Sequence, residues 1–262
     1  KRRRRLEALV AGVHASLDIQ TTVLVGKPYE EMTREVVSKG RDLVVKASEG
    51  GNVLKERLFG DADSRLLKVC PCPVLLVKSI PPKPYRHRRI CAGVYQDEHP
   101  GGLRDDRYAI NRRILKHATW LATAQFAELH IVHAWEAYGE QYLRNERSSL
   151  HFEADDYVAS EQQRNKQALN TCLTELRESV ASDTLPAFNP ECHLVKGGHR
   201  DEIVRQAASM GADLVVVGGL AKSGLTGLII ESTAEAISRR VNCSVLIVKP
   251  PEFVTPVVVE EI

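Results

Sequence analysis

Residues 214–227, which read LVVVGGLAKSGLTG, decide the fold of this chain. Four consecutive aliphatic residues are typical of a central parallel strand that is covered on both faces. A glycine-rich loop follows the strand, and the spacing of Ser232 and Glu235 is that of a capping box, which predicts a helix that starts near Thr233. A strand, a glycine-rich loop and a helix N-terminus in this order predict an anion site at the carboxyl edge of a parallel sheet.

The sequence around this stretch alternates between strand and helix patterns. Apolar runs predict strands at residues 89–95, 129–135, 192–196 and 245–248. Apolar side chains at helical spacing predict helices at residues 106–127, 150–181, 200–210 and 233–240. Residues 136–149 are polar, and we expect them to be irregular. The alternation predicts an α/β fold with a parallel sheet and helices on both of its faces.

Residues 22–78 and 193–249 are two copies of one pattern, because 15 of their 57 aligned pairs are identical without a gap. A strand precedes the repeat in the second copy, at residues 89–95, and it has no counterpart after Lys1. The repeat therefore predicts a first domain at residues 1–80 that lacks its N-terminal part in this chain. A proline-containing linker is predicted at residues 81–88, and a second domain at residues 89–262.

Composition limits the class of protein. Hydrophobic residues make up 43% of the 262 residues and the formal net charge is +2, so we expect a packed core and no general affinity for nucleic acid or membranes. The six cysteines lie mostly in apolar runs, which favours a reducing, cytoplasmic location. Cys70-Pro71-Cys72 lacks the spacing of a metal-binding pair, and no metal site is expected. We expect no signal peptide and no transmembrane segment.

The loop carries a spaced motif, with Gly218, then Ala221, then Glu231 followed by Ser232 and Thr233. In this register it resembles the G-x2-G-x9-G-S/T signature of the universal stress protein family, over about residues 22–80 and 88–250. The resemblance implies two Rossmann-like domains of the adenine nucleotide alpha hydrolase-like type. It also implies that the domains pair about a pseudo-twofold axis through their last strands, at residues 74–77 and 245–248.

In nucleotide-binding members of that family, the amides and the hydroxyl of the loop hold the phosphates of ATP. The resemblance implies these candidate nucleotide-binding residues: Tyr95, Gly197, Gly218, Gly219, Ala221, Lys222, Ser232 and Thr233. Three departures weaken the inference to ATP, since Ala221 and Glu231 replace motif glycines and Tyr95 replaces the aspartate on the adenine side. His199 is a further candidate for ligand contact. No set of residues has the spacing of a catalytic group.

Three functions stay open from the sequence. The first is a ligand- or partner-binding regulatory protein in stress adaptation, with a degenerate nucleotide loop and no catalysis. The second is an ATP-binding switch with slow hydrolysis and Mg²⁺, and the third is a scaffold for a protein or an apolar metabolite. Homodimerisation of the tandem chain is open as well.

The polar stretch at residues 139–156 is either a gate or plain surface. His130 and His133 are expected on opposite faces of their strand, in a rim or interface role.

Overall fold

A single mixed sheet with helices on both faces organises the described part of the chain. The computed structural model describes residues 2–11, 13, 17–48, 61–78, 87–95, 104–145, 151–180, 189–219 and 233–258. In chain order these contain α1 (Arg2–Val10), α2 (Pro28–Lys39), β1 (Val44–Ala47), α3 (Asp61–Val69), β2 (Val74–Val77), β3 (Arg89–Val94), α4 (Arg104–Gln125), β4 (Glu128–Trp135), α5 (Glu140–Asn145), α6 (His151–Val180), β5 (Glu191–Lys196), α7 (His199–Ser209), β6 (Leu214–Gly218), α8 (Thr233–Arg240) and β7 (Ser244–Val248).

The strand order across the sheet is β1-β2-β7-β6-β3-β4-β5. All neighbours run parallel except β2 and β7, which are antiparallel and pair Leu75 with Leu246. These two leucines are counterparts in the repeat, because their numbers differ by its offset of 171. A pseudo-twofold axis therefore passes between them, and the expected pairing of the two halves through their last strands is confirmed.

The two faces of the sheet are covered differently. On one face, buried residues of α2, α3, α7 and α8 form a core that is continuous across both halves, as Leu66, Ile203 and Ile237 illustrate. On the other face, the core is formed by α4 and α6 of the second half, for example by Ile110 and Leu169. The first half has no helix among its described residues that packs on this second face. Val45 of β1 is accordingly 60% exposed.

The repeat does not form the same secondary structure in both halves. Residues 18–25 are the counterparts of residues 189–196, which contain β5, yet they form no strand. In the second half β5 pairs with β4, and the described residues of the first half offer no counterpart of β4. Without a neighbouring strand the backbone gains no ladder hydrogen bonds, and Val25 is left 87% exposed.

The prediction of an irregular stretch at residues 136–149 was wrong in part, because residues 140–145 form α5. Tertiary ion pairs stabilise this short polar helix. Glu140 pairs with Lys196 of β5 at 2.5 Å, and Arg144 contacts Asp155 of α6 at 2.8 Å. Residues 146–150 of the predicted gate lie outside the described residues. None of the helices in the described ranges combines the length and the apolar run that a bilayer crossing requires.

Candidate functional site

The sheet has a topological switch point between β3 and β6. From β3 the chain proceeds to β4 on one side, while β6 lies on the other side of β3. Ligands of open α/β sheets bind in the crevice outside the carboxyl ends of the strands at such a point. Tyr95 directly follows β3, and Gly218 is the last residue of β6. Two of the predicted site residues therefore lie at this crevice.

The side chain of Tyr95 spans the switch point. Its hydroxyl donates a hydrogen bond to the carbonyl oxygen of Gly218. Its backbone N–H donates to Asn111 Oδ1 at 2.8 Å, and Asn111 Nδ2 donates to the Tyr95 carbonyl at 3.0 Å. Tyr95 is 8% exposed. The crevice is thus bridged by a tyrosine that α4 anchors through Asn111, a residue that the sequence analysis missed.

Gly218 is required by packing in this arrangement. A methyl group at Gly218 would lie 2.6 Å from Ile110 Cγ1 and 2.8 Å from Tyr95 Cε2, which is closer than carbon atoms approach without displacement. The first glycine of the motif therefore lets Tyr95 and α4 pack against the end of β6.

His199, which the sequence suggested as a ligand-contact residue, lies beside Tyr95. It is the first residue of α7, and its ring stacks on that of Tyr95 with centroids 4.5 Å apart and an interplanar angle of 22°. The next residue, Arg200, donates from Nε to Thr233 Oγ1 at 3.5 Å. This contact links the start of α7 to the start of α8, where the capping pattern predicted a helix terminus.

The other predicted site residues divide into two groups. The N–H of Gly197 donates to the Trp135 carbonyl at 2.8 Å, and the N–H of Gly219 donates to the Val248 carbonyl at 2.7 Å. Both amides therefore hold the edge of the sheet together. Gly197 and Gly219 therefore form one group with Tyr95, Gly218 and Thr233, and this group lies at one edge of the sheet. The remaining three predicted residues lie outside the described residues, namely Ala221, Lys222 and Ser232.

A buried lysine that the sequence analysis passed over lies next to the start of the loop. Lys249 is 3% exposed, and its Nζ lies 4.3 Å from the centroid of the Phe253 ring. Burial lowers the pKa of Lys249 to about 8, although Cys70 and Glu235 act in the opposite direction. Its Nζ would be 3.6 Å from a methyl group on Gly219. A positive charge is thus available near the first residues of the loop.

The equivalent edge of the first half contains a buried ion pair. Lys46 Nζ lies 2.5 Å from Asp63 Oδ1, and Ser48 Oγ donates to Asp63 Oδ2 at 2.9 Å. Asp63 is fully buried in the first turn of α3, where the helix dipole favours a negative charge. The protein's own carboxylate therefore lies where an anionic ligand would meet the helix N-terminus.

Comparison with known proteins finds relatives that span most of the chain. Universal stress protein E of Salmonella typhi is 28% identical over 254 residues, which are 97% of this chain and 74% of that protein. Universal stress protein E of Escherichia coli K12 is 25% identical over 260 residues, with the same coverage of 97% and 74%.

Solved structures show the same fold. A protein from Pseudomonas aeruginosa UCBPP-PA14 has a TM-score of 0.71 at 23% identity, with 95% of this chain and 79% of that chain covered. A universal stress protein from Archaeoglobus fulgidus has a TM-score of 0.56 at 19% identity, with coverage of 94% and 74%. The Universal stress protein family profile matches residues 2–78 and 108–249. Two matches across most of the chain show that it belongs to the Universal stress protein family and carries that domain in tandem.

Proposed function

We propose that this tandem universal stress protein acts in stress adaptation as a ligand- or partner-binding regulatory protein, without catalytic turnover of nucleotide. The hydrogen bond from the Tyr95 hydroxyl to the Gly218 carbonyl carries the proposal, because the protein's own side chain bridges the crevice in which a nucleotide would bind. Within it we place domain one at residues 1–80, the linker at residues 81–88 and domain two at residues 89–262.

Entry of an adenine nucleotide into this crevice requires Tyr95 to move. Loss of its hydrogen bond costs about 0.5–1.5 kcal/mol, and loss of the stack on His199 costs about as much again. Together these terms reduce affinity by about one to two decades. We therefore expect ATP to bind weakly to the second half. The first half is a poorer site still, because the Asp63 carboxylate, paired with Lys46, lies at the helix N-terminus where a phosphate would bind.

Calorimetric titration of the full chain with ATP and Mg²⁺ tests the proposal. Tyr95→Asp restores the residue type that the resemblance assigns to the adenine side, and we expect it to raise ATP affinity about tenfold or more. Tyr95→Phe removes the hydroxyl alone, keeps the packing, and should raise affinity a few-fold. Tyr142→Phe is the matched control, because Tyr142 is 69% exposed on α5. Micromolar ATP binding by the wild type, unchanged in both Tyr95 variants, would contradict the proposal.

The ATP-binding switch is the second candidate, and three features of the second half favour it. Gly218 is retained at the start of the loop, Thr233 begins α8, and Lys249 supplies a nearby positive charge. For a switch, the chain should purify with bound ATP, and Thr233→Val should weaken binding at least tenfold. Phosphate release above the uncatalysed rate in the presence of Mg²⁺ would establish the switch and remove our preferred function. Native mass spectrometry of the same sample would detect an apolar metabolite as a different bound mass.

A further inference from the structure

A cluster of two imidazoles and one carboxylate lies at the amino end of the edge strand β5, far from the crevice at the carboxyl edge. It consists of His130 on β4 and of Glu191 and His193 on β5. His130 and Glu191 are paired in the register of the two parallel strands. His193 follows Glu191 by two residues, so all three side chains lie on the same face of the sheet.

The three groups are close enough to ligate one metal ion, because one ligand atom from each lies within 4.8 Å of the others. His130 Nδ1 lies 3.1 Å from His193 Nε2 and 3.4 Å from Glu191 Oε2, and His193 Nε2 lies 3.6 Å from Glu191 Oε1. Ligands of a tetrahedral zinc ion lie about 2.0–2.1 Å from the metal, which separates them from each other by about 3.4 Å. The two carboxylate distances exceed the usual range of a hydrogen bond.

A carboxylate lies near the second ring nitrogen of His130. His130 Nε2 is buried and has no hydrogen-bond partner within the part of the chain that the structure describes. Glu128 Oε2 lies 3.9 Å from it, which is beyond hydrogen-bond range, and accepts a hydrogen bond from Arg89 Nε at 2.9 Å. A carboxylate behind the second ring nitrogen is the usual way in which proteins orient a metal-ligating histidine.

The exposure of the ligands provides an entry path. The side chain of His130 is 11% exposed, that of His193 is 22% exposed, and that of Glu191 is 66% exposed. The buried His130 and the half-buried His193 are thus reached from solvent past the carboxylate. We infer that His130, His193 and Glu191 form a zinc site with its fourth position open to water, which ties the edge strand β5 to β4.

Zinc binding by the full chain, stripped of metal with a chelator and kept reduced, tests this inference. We expect calorimetry to show one zinc ion per chain at micromolar concentrations, and the thermal midpoint to rise by about 5 °C in excess zinc. Loss of an outer contact typically weakens metal binding about 10–100-fold. Glu191→Gln and His193→Ala each remove a ligand, so each should weaken zinc binding by more than that. Glu191 is exposed, so Glu191→Gln should fold normally.

Cys192→Ser provides the control within the same strand. Cys192 lies between the two ligands in sequence, but strand alternation directs it to the opposite face. This variant should bind zinc as the wild type does, and a cobalt-loaded wild type should show a tetrahedral spectrum without a thiolate charge-transfer band. Retention of zinc by Glu191→Gln and His193→Ala, its loss from Cys192→Ser, or the absence of micromolar binding would each overturn the inference.

Discussion

The first and second halves share helix-terminating turns at Gly40 and Gly211 and one continuous core, but they differ at the carboxyl edge of the sheet. In the first half, the buried Asp63 carboxylate contacts Lys46 and Ser48. The second half has an aliphatic side chain or none at the three equivalent positions, which are Val217, Gly219 and Ala234. The duplicated pattern thus keeps the positions that set the backbone, while the polar residues at the ligand edge have diverged.

The largest expected effect comes from breaking the buried pair of the first half. Asp63→Ala removes a fully buried carboxylate beside Lys46, whose side chain is 15% exposed, and should lower the free energy of unfolding by about 3–5 kcal/mol. Urea denaturation of the full chain measures this change.

The second half supplies the control for this variant. The triple variant Lys46→Val, Ser48→Gly, Asp63→Ala copies the second-half residues and removes both charges together, so it should recover most of the lost stability. A triple variant as unstable as Asp63→Ala would show that the difference between the halves does not depend on the ion pair.

The second prediction compares two lysines at equivalent positions. Lys78 donates to the carbonyl oxygens of Ser238 and Val241 at the end of α8, whereas burial of Lys249 lowers its pKa from 10.5 to about 8. Between these pH values the unfolded chain holds more protons than the folded chain, so stability attributable to Lys249 rises with pH. Lys249→Met should abolish that rise and, near neutral pH, increase the free energy of unfolding by up to about 3 kcal/mol.

Lys78→Met should instead lower the free energy of unfolding, because it removes hydrogen bonds from a charged donor that are worth about 1.5–3 kcal/mol each. Urea denaturation at several pH values between neutrality and the ordinary lysine pKa measures both variants against the wild type. If Lys249→Met keeps the wild-type dependence on pH, then Lys249 is not desolvated as the structure indicates.

The third prediction concerns the axis that relates the halves. Ser64 and Glu235 are counterparts in the repeat, and the Ser64 hydroxyl donates to Glu235 Oε1 in the buried interface. Ser64→Ala should cost about 2 kcal/mol, because a hydrogen bond to a buried charged acceptor is lost. The exchanged variant Ser64→Glu, Glu235→Ser restores the pair across the axis and should be more stable in urea than Ser64→Glu alone. Equal stability of these two variants would show that the exchanged pair does not form across the axis.

The sequence predicts the framework because periodicity and repetition are local signals. The strand at residues 214–217 and the helix start at Thr233 are confirmed, and so is the division of His130 and His133 between opposite faces. His133 Nε2 lies 2.8 Å from Asn165 Oδ1 of α6, whereas His130 contacts His193 on the other face.

The contacts that the sequence does not reveal are those between distant segments. The approach of His130 to His193 depends on the register of two parallel strands, which neither strand specifies alone. In the sequence Asn111 is an ordinary polar residue of a helix, and its role follows only from the fold, which places the end of β3 opposite it. In the sequence Lys249 belongs to a polar tail. Its burial is not visible there, because it depends on the segment around Phe253.

The smallest predicted effect tests what the halves still share. Gly40 and Gly211 end their helices in the left-handed region, with φ of 59° and 64°. An alanine there costs about 1–2 kcal/mol in backbone strain, and reduced freedom of the unfolded chain offsets about 0.4–1 kcal/mol. Among the described residues, a methyl group would meet no atom within 4 Å at Gly40 and only Arg89 at 3.5 Å at Gly211, so sterics add little. Gly40→Ala and Gly211→Ala should therefore each destabilise the chain by about 1 kcal/mol in urea. A clear inequality between them would mean that the halves differ in their turns as well as at the ligand edge.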